Sequence, residues 1–273
     1  MSEDAYNATL VRRIDISSRL AIFRIRPDAP LPEFTPGQFL VLGLTRATPR
    51  RADTEPEEVL PEKADRLVKR TYSISSASQH TEEVEFYIAL VSDGVLTPRL
   101  FTRQEGDRLF MNRDPKGLFT LDRVPEGANI LLVATGTGLA PYMSMLRSLA
   151  LGEGGPSRPM AVLHGAAFSW DLGYRNDLEA LQHACPRFRY IPVVSRPRED
   201  TAWSGLTGRL TPWLEDLPAL SARCGFTLVP GECHIFLCGH PQLVEDGLRI
   251  LGEQGFDPGK PREPGTLHAE RYW

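Results

Sequence analysis

The sequence lacks any apolar run near the roughly 20 residues that cross a bilayer, so no membrane-spanning helix is expected. It lacks a C-x-x-C pair and the C-x4-C-x2-C spacing of a plant-type iron–sulfur site. Its cysteines, Cys185, Cys224, Cys233 and Cys238, all fall in the second half and read as reduced thiols in a chain without its own cluster. The opening residues MSEDAYNATLVRRIDIS lack the basic n-region and apolar h-region of a secretory leader, which makes a cytoplasmic protein the expectation. Strong positive charge is absent too. A formal net charge of -4 gives no electrostatic case for nucleic acid or an anionic membrane as the main partner, although a local basic patch remains compatible with it. No internal repeat is visible. What remains, 273 residues with 41% hydrophobic and 24% charged content, describes one or two globular domains with a substantial core.

Two rhythms divide the chain. Up to about residue 122 the apolar runs are short: LAIFRIR, GQFLVLGL, RTYSISS and VEFYIALV, rich in branched and aromatic residues and punctuated by Gly, Pro or Asp. Short strands at close spacing predict an antiparallel β-barrel or sandwich. One helical candidate, LTPRLFTRQ, interrupts them, with Thr97 placed as N-cap and Pro98 at the first helical position. From about Asn129 the pattern becomes NILLVATG, APYMSMLRSLA, PMAVLHG, DLGYRNDLEALQHA, FRYIPVVS, CHIFLCG and PQLVEDGLRILGE. Buried strands alternating with amphipathic helices predict an α/β domain with a parallel sheet covered on both faces. The Pro/Gly-bearing turn region TLDRVPEGAN marks the boundary, giving domains 1–122 and 123–273. The segment from Thr45 to Lys69 is polar, charged and proline-bearing without strong periodicity, and reads as a long surface loop. It is either a solvated excursion or a cover over a cofactor or partner.

Several short patterns fall where chemistry is done in such folds. VATGTGLAP follows a buried strand and precedes a helix. Gly136 and Gly138 allow close backbone approach, and the helix beyond offers unpaired N–H groups to a pyrophosphate. The pattern is G-T-G-x-x-P and not G-x-G-x-x-G, so on its own it also fits a plain tight turn. Ser195 and Arg196 lie just past a strand end, with Arg209 shortly after, where ligands of open parallel sheets bind. A hydroxyl and two guanidinium groups suit a phosphomonoester such as the 2′-phosphate of NADP, although exposed arginines are commonly idle. Cys238 and Gly239 close another strand; a cysteine there is a small buried hydrophobe or a neighbour of a reacting ring. In KRTYSISS, Arg70 suits a diphosphate, Tyr72 offers a flat face and Ser73 a small hydroxyl, with Arg70 and Tyr72 on one face of the strand. The Leu96–Thr97 turn offers a second set of N–H groups for phosphate.

Arg70-x-Tyr72-Ser73, Gly136-Thr137-Gly138-x-x-Pro141, Cys238-Gly239 and the ending Glu270-Arg271-Tyr272-Trp273 occur in that order. As an ordered set spanning nearly the whole chain they resemble the ferredoxin–NADP reductase family, in particular the bacterial ferredoxin/flavodoxin–NADP reductases. The resemblance implies an antiparallel FAD-binding barrel followed by a parallel-sheet NADP-binding domain. It implies an FAD-dependent enzyme exchanging electrons between NADPH and a one-electron carrier, ferredoxin or flavodoxin. By position, Arg70, Thr71, Tyr72 and Ser73 would contact FAD, Tyr72 stacking on the flavin and Ser73 lying near its reactive nitrogen. Tyr87, the turn of Val95, Leu96 and Thr97, and Thr137 match further flavin contacts. Gly136, Gly138 and Gly239 match the NADP side, Ser195, Arg196 and Arg209 its 2′-phosphate site, and Cys238 a position near the nicotinamide. Glu270 would tune the active centre, Tyr272 would face the isoalloxazine where nicotinamide must enter, and Trp273 would pack on the adenine of FAD. No metal ligands and no oligomer are implied; a monomer is expected.

Two positions depart from the pattern. Bacterial relatives often carry an arginine where HGAAF has Ala167, which implies weaker NADP affinity or help from another basic residue. The Thr45–Lys69 loop is also longer than the resemblance leads one to expect. Two other readings compete: the reductase component of an oxygenase, with its cluster on a separate chain, and a non-catalytic flavin or nucleotide sensor. Turnover and the choice of acceptor would separate them.

Overall fold

Alternating apolar and polar residues form six strands of the first unit: β1 (Ala8–Ser17), β2 (Leu20–Pro27), β3 (Phe39–Thr45), β4 (Leu67–Ser73), β5 (Val84–Ala89) and β6 (Arg108–Met111). The computed structural model describes residues 5–260 and 263–271, and the chain divides into two units, Met1–Leu118 and Phe119–Trp273. In the first unit the strands pair antiparallel in the order β4-β3-β6-β1-β2-β5. The two outer strands meet: Ile74 bridges Phe86, and the Ser75 N–H donates to the Glu85 carbonyl at 2.8 Å, curling the sheet into a barrel. Its interior is filled by Leu10, Phe23, Ile25, Leu40, Leu42, Leu44, Phe86, Ile88 and Met111, all buried. Strand β1 has charged residues at Arg12, Arg13 and Asp15, which hide its alternation from a reading of hydropathy alone.

The helix expected over LTPRLFTRQ shrinks to one turn, α1 (Thr97–Leu100), and Thr97 is not its N-cap. Leu96 holds the cap position without a side-chain bond. The Thr97 hydroxyl is engaged elsewhere, accepting from the Val91 N–H at 3.0 Å and donating to the Val91 carbonyl at 3.2 Å. The Thr45–Lys69 segment contains a single 3-10 turn, Pro61–Lys63. It lies along the stretch that follows β5. The Arg51 N–H donates to the Pro98 carbonyl at 2.9 Å, the Glu55 N–H to that of Ser92 at 3.1 Å, and the Thr102 hydroxyl to that of Pro49 at 3.2 Å. Polar composition here reflects bonds made to the barrel as well as to water.

In the second unit β7 (Asn129–Thr135) runs through a 3-10 turn, Gly136–Leu139, into α2 (Ala140–Glu153). Then follow β8 (Met160–Ala166), α3 (Arg175–Ala184), β9 (Phe188–Val194), β10 (Leu206–Thr207), α4 (Thr211–Glu215), α5 (Leu217–Cys224), β11 (Cys233–Gly239) and α6 (Pro241–Glu253). A short pair, β12 (Gly259–Lys260) and β13 (Glu263–Pro264), precedes β14 (Leu267–Arg271). The main sheet is parallel, ordered β10-β9-β8-β7-β11-β14. The continuous apolar runs are fully covered: every residue of β11 is buried, and α6 turns Leu243, Val244, Gly247, Ile250 and Leu251 inward. The chain builds outward from β7 through β8, β9 and β10, then returns to add β11 on the other side. That reversal makes a topological switch point between β7 and β11, where ligands of such sheets bind beyond the strand ends. The last described segment is itself a strand: β14 pairs with β11, and His268 stacks on Phe236 at 4.2 Å while its Nε2 sits 2.9 Å from Nδ1 of His234.

Candidate functional site

The switch point is shaped by residues that have no side chain. Gly136 turns the chain out of β7 with φ +53°, in the left-handed region glycine enters without strain. A Cβ on Gly138 would lie 2.3 Å from the Cys238 carbonyl oxygen, and one on Gly239 would lie 2.5 Å from both the carbonyl and the hydroxyl oxygen of Thr135. The two motifs therefore interlock, backbone against backbone, at the ends of β7 and β11. The Thr135 hydroxyl ties the crossing by accepting from the His240 N–H at 2.9 Å. Thr137 lies in the turn between the two glycines, and the positive end of α2 follows that turn, its first N–H, that of Ala140, donating to the Thr137 carbonyl.

Strand register brings two more candidates to the same place. Cys238, fully buried, is paired with Glu270 across β11 and β14, and Gly239 with Arg271. Behind them lies Tyr142 of α2, wholly buried, its hydroxyl donating to the Val133 carbonyl at 3.2 Å. Burial first, and then the neighbouring Cys238 and Glu270, push its phenol pKa well up, so it stays a neutral donor. Sequence reasoning missed Tyr142; the one signal was an aromatic two residues into the helix that follows the glycine turn. Tyr272 and Trp273 lie outside the described residues.

The arginine candidates gather at the neighbouring strand ends. The Ser195 N–H donates to the Ala166 carbonyl at 2.9 Å and the Arg196 N–H to that of Ala167 at 3.0 Å. Beside them the Gly208 N–H donates to the Val194 carbonyl at 2.9 Å, which places Arg209 one residue beyond. The segment is seated by Leu210, which packs so closely on Gly165 that a Cβ there would lie 2.9 Å away. Ser195, Arg196 and Arg209 are all exposed along this edge. The Arg196 guanidinium lies 5.8 Å from the Phe168 ring centre, and Phe168 stacks on Trp170 at 4.6 Å. Ala167 brings no charge to this corner, and the Arg196 backbone is hydrogen-bonded to it.

In the first unit the candidates line the end of β4 and its neighbours. Pairing with β3 sets Arg70 opposite Leu42 and Tyr72 opposite Leu40, so both lie on the same face; Arg70 and Thr71 are exposed, Tyr72 is half-buried on the barrel core, and Ser73 is buried. Burial pushes the Tyr72 phenol pKa up despite the opposing Arg70 charge. Tyr87 lies buried in β5, one residue from the barrel-closing bridge. The N–H groups of Val95, Leu96 and Thr97 are accepted by no backbone carbonyl among the described residues. No cluster of metal-ligating residues occurs among the described residues.

Residues 132–247 match the family model of the oxidoreductase NAD-binding domain. Over 256 residues the chain is 33% identical to the flavodoxin/ferredoxin–NADP reductases of Shigella flexneri and of Escherichia coli (strain K12), covering 93% of this chain and 93% of each relative. Among solved structures, the ferredoxin NADP+ reductase of Neisseria gonorrhoeae with bound FAD and NADP aligns with a TM-score of 0.78 at 24% identity, covering 98% of this chain and 99% of that one. At that identity the likeness is one of fold.

Proposed function

This chain belongs to the flavodoxin/ferredoxin–NADP reductase family, and from that premise we propose that it is an FAD-dependent oxidoreductase. It exchanges electrons between NADPH and a one-electron carrier, a ferredoxin or a flavodoxin. The observation that carries the reading is the interlock of Gly136–Gly138 with Cys238–Gly239 at the switch point, with Glu270 paired to Cys238.

The residues fit the two cofactors. At Gly138 and Gly239 any side chain would collide with neighbouring backbone, so glycine at both positions is what lets the ends of β7 and β11 close on each other at the switch point. The N–H groups of Val95, Leu96 and Thr97, left without carbonyl partners, suit a diphosphate. Bound FAD supplies the conversion between the two-electron chemistry of NADPH and single-electron transfer, and the protein supplies position and electrostatics. Arg70 would neutralise the diphosphate and Tyr72 would stack on the flavin, with Thr71, Ser73 and Tyr87 completing the contacts made by the first unit. Cys238 would lie near the nicotinamide, with Glu270 on the next strand tuning the active centre. Ser195, Arg196 and Arg209 hold the 2′-phosphate, Arg196 taking over where Ala167 supplies no charge. The carrier docks on a monomer in the cytoplasm; among the described residues no helix is long and apolar enough to cross a membrane.

The test is an absorption spectrum of the purified protein, followed by NADPH and NADH titrations and a panel of acceptors. A yellow protein bleached by NADPH at far lower concentration than NADH, and reoxidised by ferredoxin or flavodoxin, is expected. A colourless protein that cannot bind FAD would overturn the proposal. Preference for an oxygenase component over both carriers would redirect it to the competing reductase role.

A further inference from the structure

Three arginines of the first unit converge on one carboxylate that none of the roles above uses. Glu57, midway along the Thr45–Lys69 segment, binds Arg46 through one oxygen; through the other it binds Arg99 at 2.8 Å and Arg50 at 3.2 Å. The Arg99 side chain is 1% exposed, that of Arg50 12% and that of Glu57 17%, so the pairing is sheltered from water. Burial raises the Glu57 pKa, but the hydrogen bond from Arg99 and the charges of Arg99, Arg46 and Arg50 outweigh it and hold the carboxyl below its ordinary range. The cluster still carries an excess of positive charge. Removing Glu57 would leave three guanidinium groups facing one another, which no sheltered site tolerates cheaply.

Arg50 and Arg99 also reach past Glu57 to one stretch of backbone. Arg50 donates to the Gly94 carbonyl at 2.9 Å and to that of Ser92 at 3.0 Å, and Arg99 donates to that of Val95 at 2.6 Å. Arg99 also grips the segment itself, donating from Nη2 to the Arg46 carbonyl at 3.0 Å. Thus the carbonyls of Ser92, Gly94 and Val95 all turn toward Glu57. In a planar trans peptide the carbonyl and the following N–H point in opposite directions, and the described residues contain no cis bond. Fixing the Gly94 and Val95 carbonyls on the Glu57 side therefore turns the Val95 and Leu96 N–H groups to the other side. Those are the groups without carbonyl partners.

We propose that Glu57 is a positioning residue for FAD: it neutralises Arg50 and Arg99, which hold the carbonyls of the Ser92–Val95 turn and so aim the Val95 and Leu96 N–H groups at the diphosphate. The inference rests on the reading that this turn contacts FAD. It gives the long polar segment a task, that of bracing a turn it does not itself belong to.

The test uses the full-length apoprotein, titrated with FAD and separately with riboflavin, which has the ring but no phosphate, following flavin fluorescence. Glu57→Gln should weaken FAD binding about tenfold or more, the scale of one charge-assisted hydrogen bond, and leave riboflavin binding within about twofold. Arg50→Met, which removes the Ser92 and Gly94 bonds while leaving Glu57 paired with Arg99, should lower FAD affinity selectively but by less. It decides the question alone if Glu57→Gln does not fold, as read by far-ultraviolet circular dichroism. Equal loss for both flavins would reduce Glu57 to a fold-stabilising role and overturn the inference. So would unchanged FAD affinity in a folded variant. A wild-type chain that binds no FAD would instead fail the functional reading and this inference with it.

Discussion

The two units fix the backbone of their candidate sites by opposite means. In the second, backbone closes directly on backbone because Gly138 and Gly239 pack where no side chain fits, within 2.3–2.5 Å of neighbouring backbone and hydroxyl oxygens were a Cβ present. In the first, the Ser92–Val95 turn is held by guanidinium groups gathered on Glu57. One arrangement is steric, insensitive to salt and intolerant of a single methyl. The other is electrostatic, tolerant of small changes in shape and exposed to anything that alters charge.

The sharpest break of that contrast is Gly138→Ala. The added methyl meets the Cys238 carbonyl and must push β11 and the glycine turn apart. The second unit should lose about 2–3 kcal/mol, and NADPH reactivity should fall with it. Gly136→Ala, with φ +53° but nothing within 4 Å of its Cβ, should cost only about 1–2 kcal/mol. All four tryptophans lie beyond residue 119, so the tryptophan-detected urea transition reads this unit alone. Comparable losses for the two alanines would show that close packing is not what Gly138 provides.

Next in size are the exposed arginines, which apply the electrostatic means inside the steric unit. Arg196→Ala and Arg209→Ala should each raise the KM for NADPH roughly tenfold and leave that for NADH nearly unchanged. Equal effects on both nucleotides would place the 2′-phosphate elsewhere.

The effect that separates the units by pH comes from their buried titratable groups. Burial pulls the His164 imidazole down to about 3, and burial followed by the charges of His234 and Arg123 pulls His268 down to about 4. His234 is lowered too, by burial and then by Arg158. Between their ordinary value of 6.5 and these lowered values the unfolded chain binds more protons, so the second unit loses stability as pH falls from 6.5 toward about 4. Glu57 is a lowered carboxyl. Its contribution is complete above its ordinary value of 4.5 and is lost as pH falls through the still lower folded value. On acidification the tryptophan-detected midpoint should therefore drop before the barrel weakens. His268→Phe should flatten the upper part of that drop.

The sequence carried the parts of the fold that repeat. Period-two runs in β2 to β5 and continuous apolar runs in β7, β8, β9 and β11 are local signals, and so is a glycine turn between strand and helix. What depends on partners far along the chain was hidden. Glu57 finds Arg99 forty-two residues away, so the segment around it looked merely polar. Thr97 has the side chain of an N-cap but spends its hydroxyl on Val91, six residues back. That Cys238 faces Glu270 follows from strand register, which neither motif encodes by itself.

Register gives β14 a significance beyond pairing. Its side chains alternate, and neighbouring positions carry opposite charges: Glu270 opposite Cys238, Arg271 opposite Gly239. A slip of one residue would bring a cation beside the cysteine and turn every side chain of the strand to the other face. The sign of the charge opposite Cys238 is thus set by a mechanical peg two residues away, His268, clamped between the Phe236 ring and the His234 nitrogen.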